Sequence, residues 1–355
     1  MIKTYFSAKA PGKLIISGEH SVVYGAPAIA MAINQYVITT VGWRNKSINL
    51  NNNNKYPKIN FNLLNLKYAK SHTLKTLNLL KSQLQTNYYN FLNGYCGIKD
   101  VIKKPFELLQ YLVTSLIETL HLQISENLDI RVNSKIPIGA GLGSSAALII
   151  SCLRSLSYLF KINWDPTKFW HIAKEIENLQ HGKSSGLDLY TTTFGGCNYF
   201  NYENSNSYKA HNIVFPDFNL KIINTGKPVA HTGECVAFVK NYFLDPGLLK
   251  EFTTITDAVK QALITQDHQQ FIYAIRANHL LLSRLQVVPE KIQKFIKLIE
   301  NTGGAAKICG AGSIYGDNAG IIMLFGDPEL LAPIVRAHQY QLQDLEIDYN
   351  GVEIV

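Results

Sequence analysis

The chain is poor in the features that mark several protein classes. Its five cysteines, Cys96, Cys152, Cys197, Cys235 and Cys309, are scattered through 355 residues with no CxxC pair. That scatter suggests neither a disulfide framework nor a thiolate metal site, and the cysteines read as reduced thiols in packing roles. Long apolar runs are missing as well: stretches such as AALII at 146–150 fall far short of the roughly 20 residues that a membrane helix needs. The first residues, MIKTYFSAKAPGK, have neither the apolar region of a secretory signal nor the Arg-rich pattern of a transit peptide. The expectation is a cytoplasmic protein with no membrane partner. Basic residues outnumber acidic ones, 34 to 26, for a formal charge of +8. They form no stripe interleaved with aromatics, so nucleic acid is not an expected partner, whereas small anionic substrates are compatible with the charge.

A hydrophobic content of 46% with 17% charged residues is ordinary for a globular protein, and the length suffices for two domains with separate cores. Strands are expected at 3–8, at 13–16 and around Leu128, Ile130 and Val132, which alternate with polar neighbours in NLDIRVNSK. Helical spacing of apolar residues predicts a buried helix over 105–120, another after the glycines at 139–143, and one in WDPTKFWHIAKEIENLQHG, where Asp165 precedes Pro166 as an N-cap. Further helices are expected at 248–265, at 268–285 and from Pro289 onward. The Asn-rich stretch at 47–66 reads as a polar hairpin or loop insertion. No repeat of fixed period is visible.

The segment IPIGAGLGSSAAL at 136–148 carries the most chemistry. A strand, a glycine loop and a helix starting near Ser144 bring backbone N–H groups and the positive end of a helix dipole to one point, an arrangement that binds phosphate. The loop is not GxxxxGK[ST], since serine and alanine stand where that motif has its lysine, and it does not match GxGxxG. A ligand-free glycine turn is the bland alternative for the loop taken alone.

Three segments in order, SAKAPGKLIISGEHSVVYG at 7–25, IPIGAGLGSSAAL at 136–148 and KICGAG at 307–312, resemble the GHMP kinases, small-molecule kinases named for galactose, homoserine, mevalonate and phosphomevalonate. The first segment is most similar to the mevalonate kinase branch. The resemblance extends through HGKSSGLDLYTTTFGG, TGKPVAHTGECV and ANHLLLSRLQV, most of the chain, with the Asn-rich insertion unmatched. It implies an α+β fold of two domains. Residues 1–215 would form a domain similar to ribosomal protein S5 domain 2 with the ATP loop, and residues 216–355 a ferredoxin-like domain, with a cleft between them. It also implies ATP and Mg2+ as cofactors and a small-molecule alcohol, mevalonate above all, as the partner of a monomer or homodimer.

By the same resemblance, Asp188 is the catalytic base and Lys13 the cation that supports it. Gly139, Gly141, Gly143, Ser144 and Ser145 hold the nucleotide, and Ser145 and Glu177 hold magnesium, a hydroxyl and a carboxylate being suited to a hard cation. Glu19, His20, Thr232, Gly310, Ala311 and Gly312 face the acceptor. Two departures from the family pattern stand out. Ser313, Ile314, Tyr315 and Asp317 replace further glycines after GAG, where a carboxylate facing phosphate would repel it, and Leu189 follows Asp188 in place of the usual asparagine, beside the expected pocket.

Overall fold

The computed structural model of the chain describes residues 5–44, 56–137, 139–204 and 207–355. The first part runs β1 (Tyr5–Ser17), β2 (Ala28–Arg44), β3 (Lys58–Leu63), β4 (Tyr68–Thr73), α1 (Leu74–Leu92), α2 (Pro105–Thr119), β5 (Asn127–Ser134), α3 (Ser144–Leu159), α4 (Pro166–His181), α5 (Leu187–Phe194), β6 (Cys197–Asn204) and β7 (Ser207–Ile213). The second runs β8 (Lys221–Asn224), α6 (Thr232–Val239), α7 (Pro246–Thr265), α8 (His268–Arg284), α9 (Glu290–Asn301), β9 (Ala305–Ile308), β10 (Ile321–Phe325), α10 (Pro328–Ala337), β11 (Gln343–Asp344) and β12 (Glu353–Ile354).

The strands make two sheets. The larger has the order β12-β1-β2-β5-β3-β4, with β6 also on β2 and β7 on β6; the smaller is β11-β8-β10-β9. The β3–β5 pair is parallel and every other pair is antiparallel. The architecture is the expected α+β arrangement. The tail returns to the first sheet: Lys9 pairs with Glu353, and the Val355 N–H donates to the Ser7 carbonyl at 2.8 Å. The Asp348 carbonyl accepts from the Gly196 N–H at 2.7 Å. Residues 346–355 therefore complete the sheet that residue 5 begins.

Local sequence explains the element ends. Asp-Pro dipeptides open α4, α7 and α10, with the carboxylates of Asp165, Asp245 and Asp327 accepting backbone N–H groups of the first turn and proline at the first helical position. The expected cap at Asp165 is present, with its oxygen 3.0 Å from the Thr167 nitrogen. Residues 3–4 lie outside the described residues, and from residue 5 the strands expected at 3–8 and 13–16 are one strand, β1, with a register shift between Pro11 and Gly12. A bulge there absorbs the proline that reads as a break. In the Asn-rich stretch, residues 47–55 lie outside the described residues, and 58–63 form β3, which pairs antiparallel with β4, so that part is the hairpin of the two readings and not a loop insertion.

One core fills the space between the larger sheet and α2, α3 and α4, with Leu112, Ile149, Leu153 and Phe169 at its centre. A second lies under the smaller sheet, from Phe252, Leu282, Phe295 and Ile322. Leu189, 0% exposed, belongs to the first core. It turns away from the cleft, correcting the expectation that it sits beside the pocket.

Candidate active site

A cleft of about 470 Å³ lies where the two sheets meet, lined by the ends of β1, α4, β9 and the starts of α3, α5 and α6. Its floor is set by glycine. The loop 139–143 enters α3 through Gly143, whose left-handed φ of 71° makes it the cap residue, so Ser144 is the first helical residue rather than the cap. The Lys13 side chain runs so close beneath that a Cβ on Gly143 would stand 2.7 Å from its Cγ. The Lys13 N–H donates to the Leu142 carbonyl at 3.0 Å. Strand β1 and the glycine loop are thus one unit.

The second glycine turn meets the first backbone to backbone. A Cβ on Gly141 would lie 2.5 Å from the Cys309 carbonyl oxygen, and one on Gly310 3.3 Å from the Gly141 Cα. Only residues without side chains allow this approach. The Ile321 N–H donates to the Ala140 carbonyl at 3.1 Å, so the loop of one sheet is bonded into the edge of the other. Gly310, Ala311 and Gly312 all line the cleft.

Across the floor, Lys13 Nζ sits 3.1 Å from Asp188 Oδ2, with the lysine side chain 4% and the aspartate 28% exposed. The carboxylate reaches the cleft while its counterion stays dry. Asp188 is in the first turn of α5, whose cap Gly186 packs on the Trp170 ring; a Cβ there would be 2.4 Å from the ring, and Trp170 Nε1 donates to the Gly186 carbonyl at 3.2 Å.

Glu177, in the last turns of α4, is buried rather than on a surface helix face. Its Oε2 accepts from the Ser184 hydroxyl, which in turn accepts from the Gly186 N–H at 2.9 Å. Burial first, and then the charge of Asp188, push its carboxyl up to about 8. Glu177 and Asp188 thus bring two carboxylates together at the cleft, and Ser145 lines it as well. That donor set fits magnesium, which takes one or two protein oxygens and completes its shell from phosphate and water. Among the described residues no three His, Cys, Asp or Glu side chains converge into a protein-only cage.

Glu19 and His20 follow β1. The Glu19 carboxylate is buried and pairs with the ammonium of Lys307 on β9, leaving Oε2 without a partner. Burial raises its pKa and Lys307 opposes the rise. His20 has a φ of 60°, rare for a residue with a side chain, and such strain concentrates at functional sites. Its Nε2 donates to the Ala311 carbonyl at 3.1 Å, so Nδ1 is the acceptor and stands buried without a partner. Burial lowers its pKa to about 4, keeping the ring neutral. Thr232 is the first residue of α6 and also reaches the cleft.

The departures at 313–317 have a structural account. The Ser313 hydroxyl donates to the Tyr315 carbonyl at 2.6 Å and accepts from the Ala230 N–H at 3.4 Å, and the Tyr315 hydroxyl donates to Glu234 at 3.0 Å. The segment is fastened to α6, and Asp317 is exposed and outside the cleft lining. Sequence reasoning missed Lys307, Lys227 and His181, all of which bear on the cleft. The lysines carry a signal in KICGAG and TGKP, the motifs that flank their partners in space; His181, a lone histidine at a helix end, carries none.

A glycine loop opening a helix, a lysine–aspartate pair and a cleft between two sheets are features that a kinase of small molecules uses. Residues 108–196 match the family model of the GHMP kinases N terminal domain. The chain is 30% identical over 319 residues to the mevalonate kinase of Thermococcus onnurineus, covering 86% of each. The chain belongs to the GHMP kinases, phosphotransferases that bind ATP and act on an alcohol group. In structure it is similar to the mevalonate kinase of Methanococcus jannaschii, with a TM-score of 0.74 at 22% identity over 97% of this chain and 99% of that one. It is also similar to the phosphomevalonate kinase of Streptococcus pneumoniae solved with phosphomevalonate and AMPPNP, with a TM-score of 0.71 at 16% identity over 98% and 100%.

Proposed function

We propose that the protein transfers the γ-phosphoryl group of ATP to the primary 5-hydroxyl of mevalonate, a step toward isoprenoid precursors. The observation that carries the chemistry is the Lys13–Asp188 pair at 3.1 Å in the same cleft as the 139–143 loop. The Asp188 carboxylate stands where it can accept the proton of the acceptor hydroxyl, with the Lys13 ammonium beside it. As the O–H bond breaks, the alcohol oxygen bonds to the γ-phosphorus, the bond to the bridging oxygen breaks, and ADP leaves. Lys13 stabilises the oxygen as it loses its proton. Gly139, Gly141, Gly143 and Ser144 present backbone N–H groups to the phosphates, and Gly310 to Gly312 close over them from the second sheet. Ser145 and Glu177 would hold magnesium, which when bound neutralises charge on the phosphates.

The acceptor pocket has the groups that mevalonate needs. The free Nδ1 of His20 and Oε2 of Glu19 accept hydrogen bonds from hydroxyls, and Thr232 supplies a third polar group. Ile15, Val22, Val23 and Val236 give an apolar wall for the methyl group. A pocket with buried acceptors rejects analogues that leave them unpaired. A phosphorylated acceptor is the second reading, favoured by Lys99, Lys103 and Lys183 in the cleft lining. The test is purified protein with ATP, magnesium and mevalonate, phosphomevalonate, galactose or homoserine separately, with products identified by mass. Mevalonate is expected to have the highest kcat/KM; a tenfold or greater advantage for phosphomevalonate would establish the second reading instead.

A further inference from the structure

The phosphate loop has no lysine of its own, because Ser144 and Ser145 stand where a P-loop carries one. The smaller sheet brings a lysine to it. Lys227 follows β8 and its stem lies over Gly139: a Cβ on that glycine would stand 3.4 Å from Lys227 Cε. Backbone bonds fix this placement. The Thr225 N–H donates to the Gly320 carbonyl at 2.9 Å, the Gly320 N–H to the Gly226 carbonyl at 3.2 Å, and the adjacent Ile321 N–H to Ala140 of the loop itself at 3.1 Å. Gly226, at φ 101°, and Gly320, where a Cβ would lie 2.7 Å from the Ala140 oxygen, permit so close a seam.

The charge on Lys227 is not spent elsewhere. Lys221 on β8 pairs with Asp344, whereas Lys227 lines the cleft, is exposed, and has no carboxylate at ion-pair distance among the described residues. An unpaired ammonium held over a loop of backbone N–H groups attracts a polyanion. We propose that Lys227 is a nucleotide-phosphate ligand, supplied across the cleft by the second sheet in place of the lysine that the loop lacks. It follows that the nucleotide's phosphates are gripped from both sheets, and that their binding draws on the seam between Gly320 and Ala140.

The inference rests on reading 139–143 as the nucleotide loop and is independent of the acceptor's identity. Isothermal titration of AMPPNP and of ADP, with magnesium, into the wild type, Lys227→Met, Lys227→Arg and Lys240→Met tests it. Lys240 is exposed and outside the cleft lining, so its variant removes the same charge at a distance. Lys227→Met should weaken AMPPNP by about tenfold and ADP by less, while Lys227→Arg stays within about threefold of the wild type. The Lys227→Met deficit should shrink as sodium chloride rises, since salt screens an exposed charge. The acceptor KM should not change. An AMPPNP affinity for Lys227→Met equal to that of Lys240→Met, with the melting temperature of both intact, would overturn the assignment. A wild type that binds neither nucleotide would overturn the reading of the loop, and the assignment with it.

Discussion

Lys307 and Glu19 form an ion pair closed to solvent on both sides, their side chains 0% and 1% exposed, that joins β9 of the smaller sheet to the turn after β1 of the larger one. Removing both charges from water is costly, and the pair persists because each charge answers the other. Losing one partner strands the other in a dry interior.

Lys307→Met should therefore lower stability by about 3–5 kcal/mol, the range for a broken buried pair. The double variant Glu19→Gln/Lys307→Met should recover most of that loss, since neither remaining side chain is charged. Chemical denaturation of the wild type and both variants measures it. A double variant as unstable as the single one would show that the pair's charge is not what matters.

The chemical step has its own signature. Asp188→Asn should leave nucleotide affinity intact and lower kcat by about 10² or more, as for a positioned base. Lys13→Met should fall in the same class, because it leaves the carboxylate and the developing charge unsupported. Single-turnover kinetics with saturating ATP separates this from a binding defect, which would appear only in KM.

For the metal, Ser145→Ala and Glu177→Gln should each raise the magnesium concentration needed for half-maximal rate, as each removes one of the oxygens proposed to hold it. Direct titration of Mn2+ by electron paramagnetic resonance, in the presence of AMPPNP, should show the same weakening. An unchanged Mn2+ affinity in Glu177→Gln would return that carboxylate to a purely structural role.

Acid sensitivity follows from two buried histidines. Burial lowers the pKa of both His20 and His279 from 6.5 to about 4, so between those values the unfolded chain binds protons that the native state refuses. Their stabilisation is full above pH 6.5 and is lost as pH falls toward 4, at about 1.4 kcal/mol per pH unit for each ring. Glu177, pushed up to about 8, acts in the opposite sense, so the difference between proteins is the clean measure. Denaturation at pH 7, 6 and 5 should show a shallower loss for His279→Gln than for the wild type. Parallel curves would mean that His279 titrates normally.

Much of the candidate site is legible in sequence because its residues sit in short motifs that the fold brings to one cleft. Lys13 and Asp188 were both named from their flanking residues, and the structure places them in contact. Helices with strong apolar spacing, such as α2 and α8, were equally plain. What local pattern could not supply was partnership across the fold: Lys307 reads as one more charged residue until β9 sets it beside Glu19, which precedes it by 288 positions. The same holds for Leu189, whose neighbour in sequence faces the cleft while it faces the core, since successive helical residues point about 100° apart. Helix α1 was missed because few of its residues are buried, Leu77 and Leu84 among them, which leaves a faint apolar stripe. The β6–β7 hairpin escaped notice because its strands mix asparagine and lysine with aromatics.

The return of residues 346–355 to the first sheet bears on how the protein is made. Synthesis runs from the amino terminus and domains generally fold as they emerge. Here β1 waits, with one edge unpaired, until β8 to β11 have left the ribosome and β12 arrives to cover it. The larger sheet, although built almost wholly from the first part of the chain, cannot finish folding before the smaller one has been translated. During that interval the edge of β1 at Ala8 and Lys9, which Ile354 and Glu353 later pair, stays open, and an unpaired strand edge is a template for stray strands.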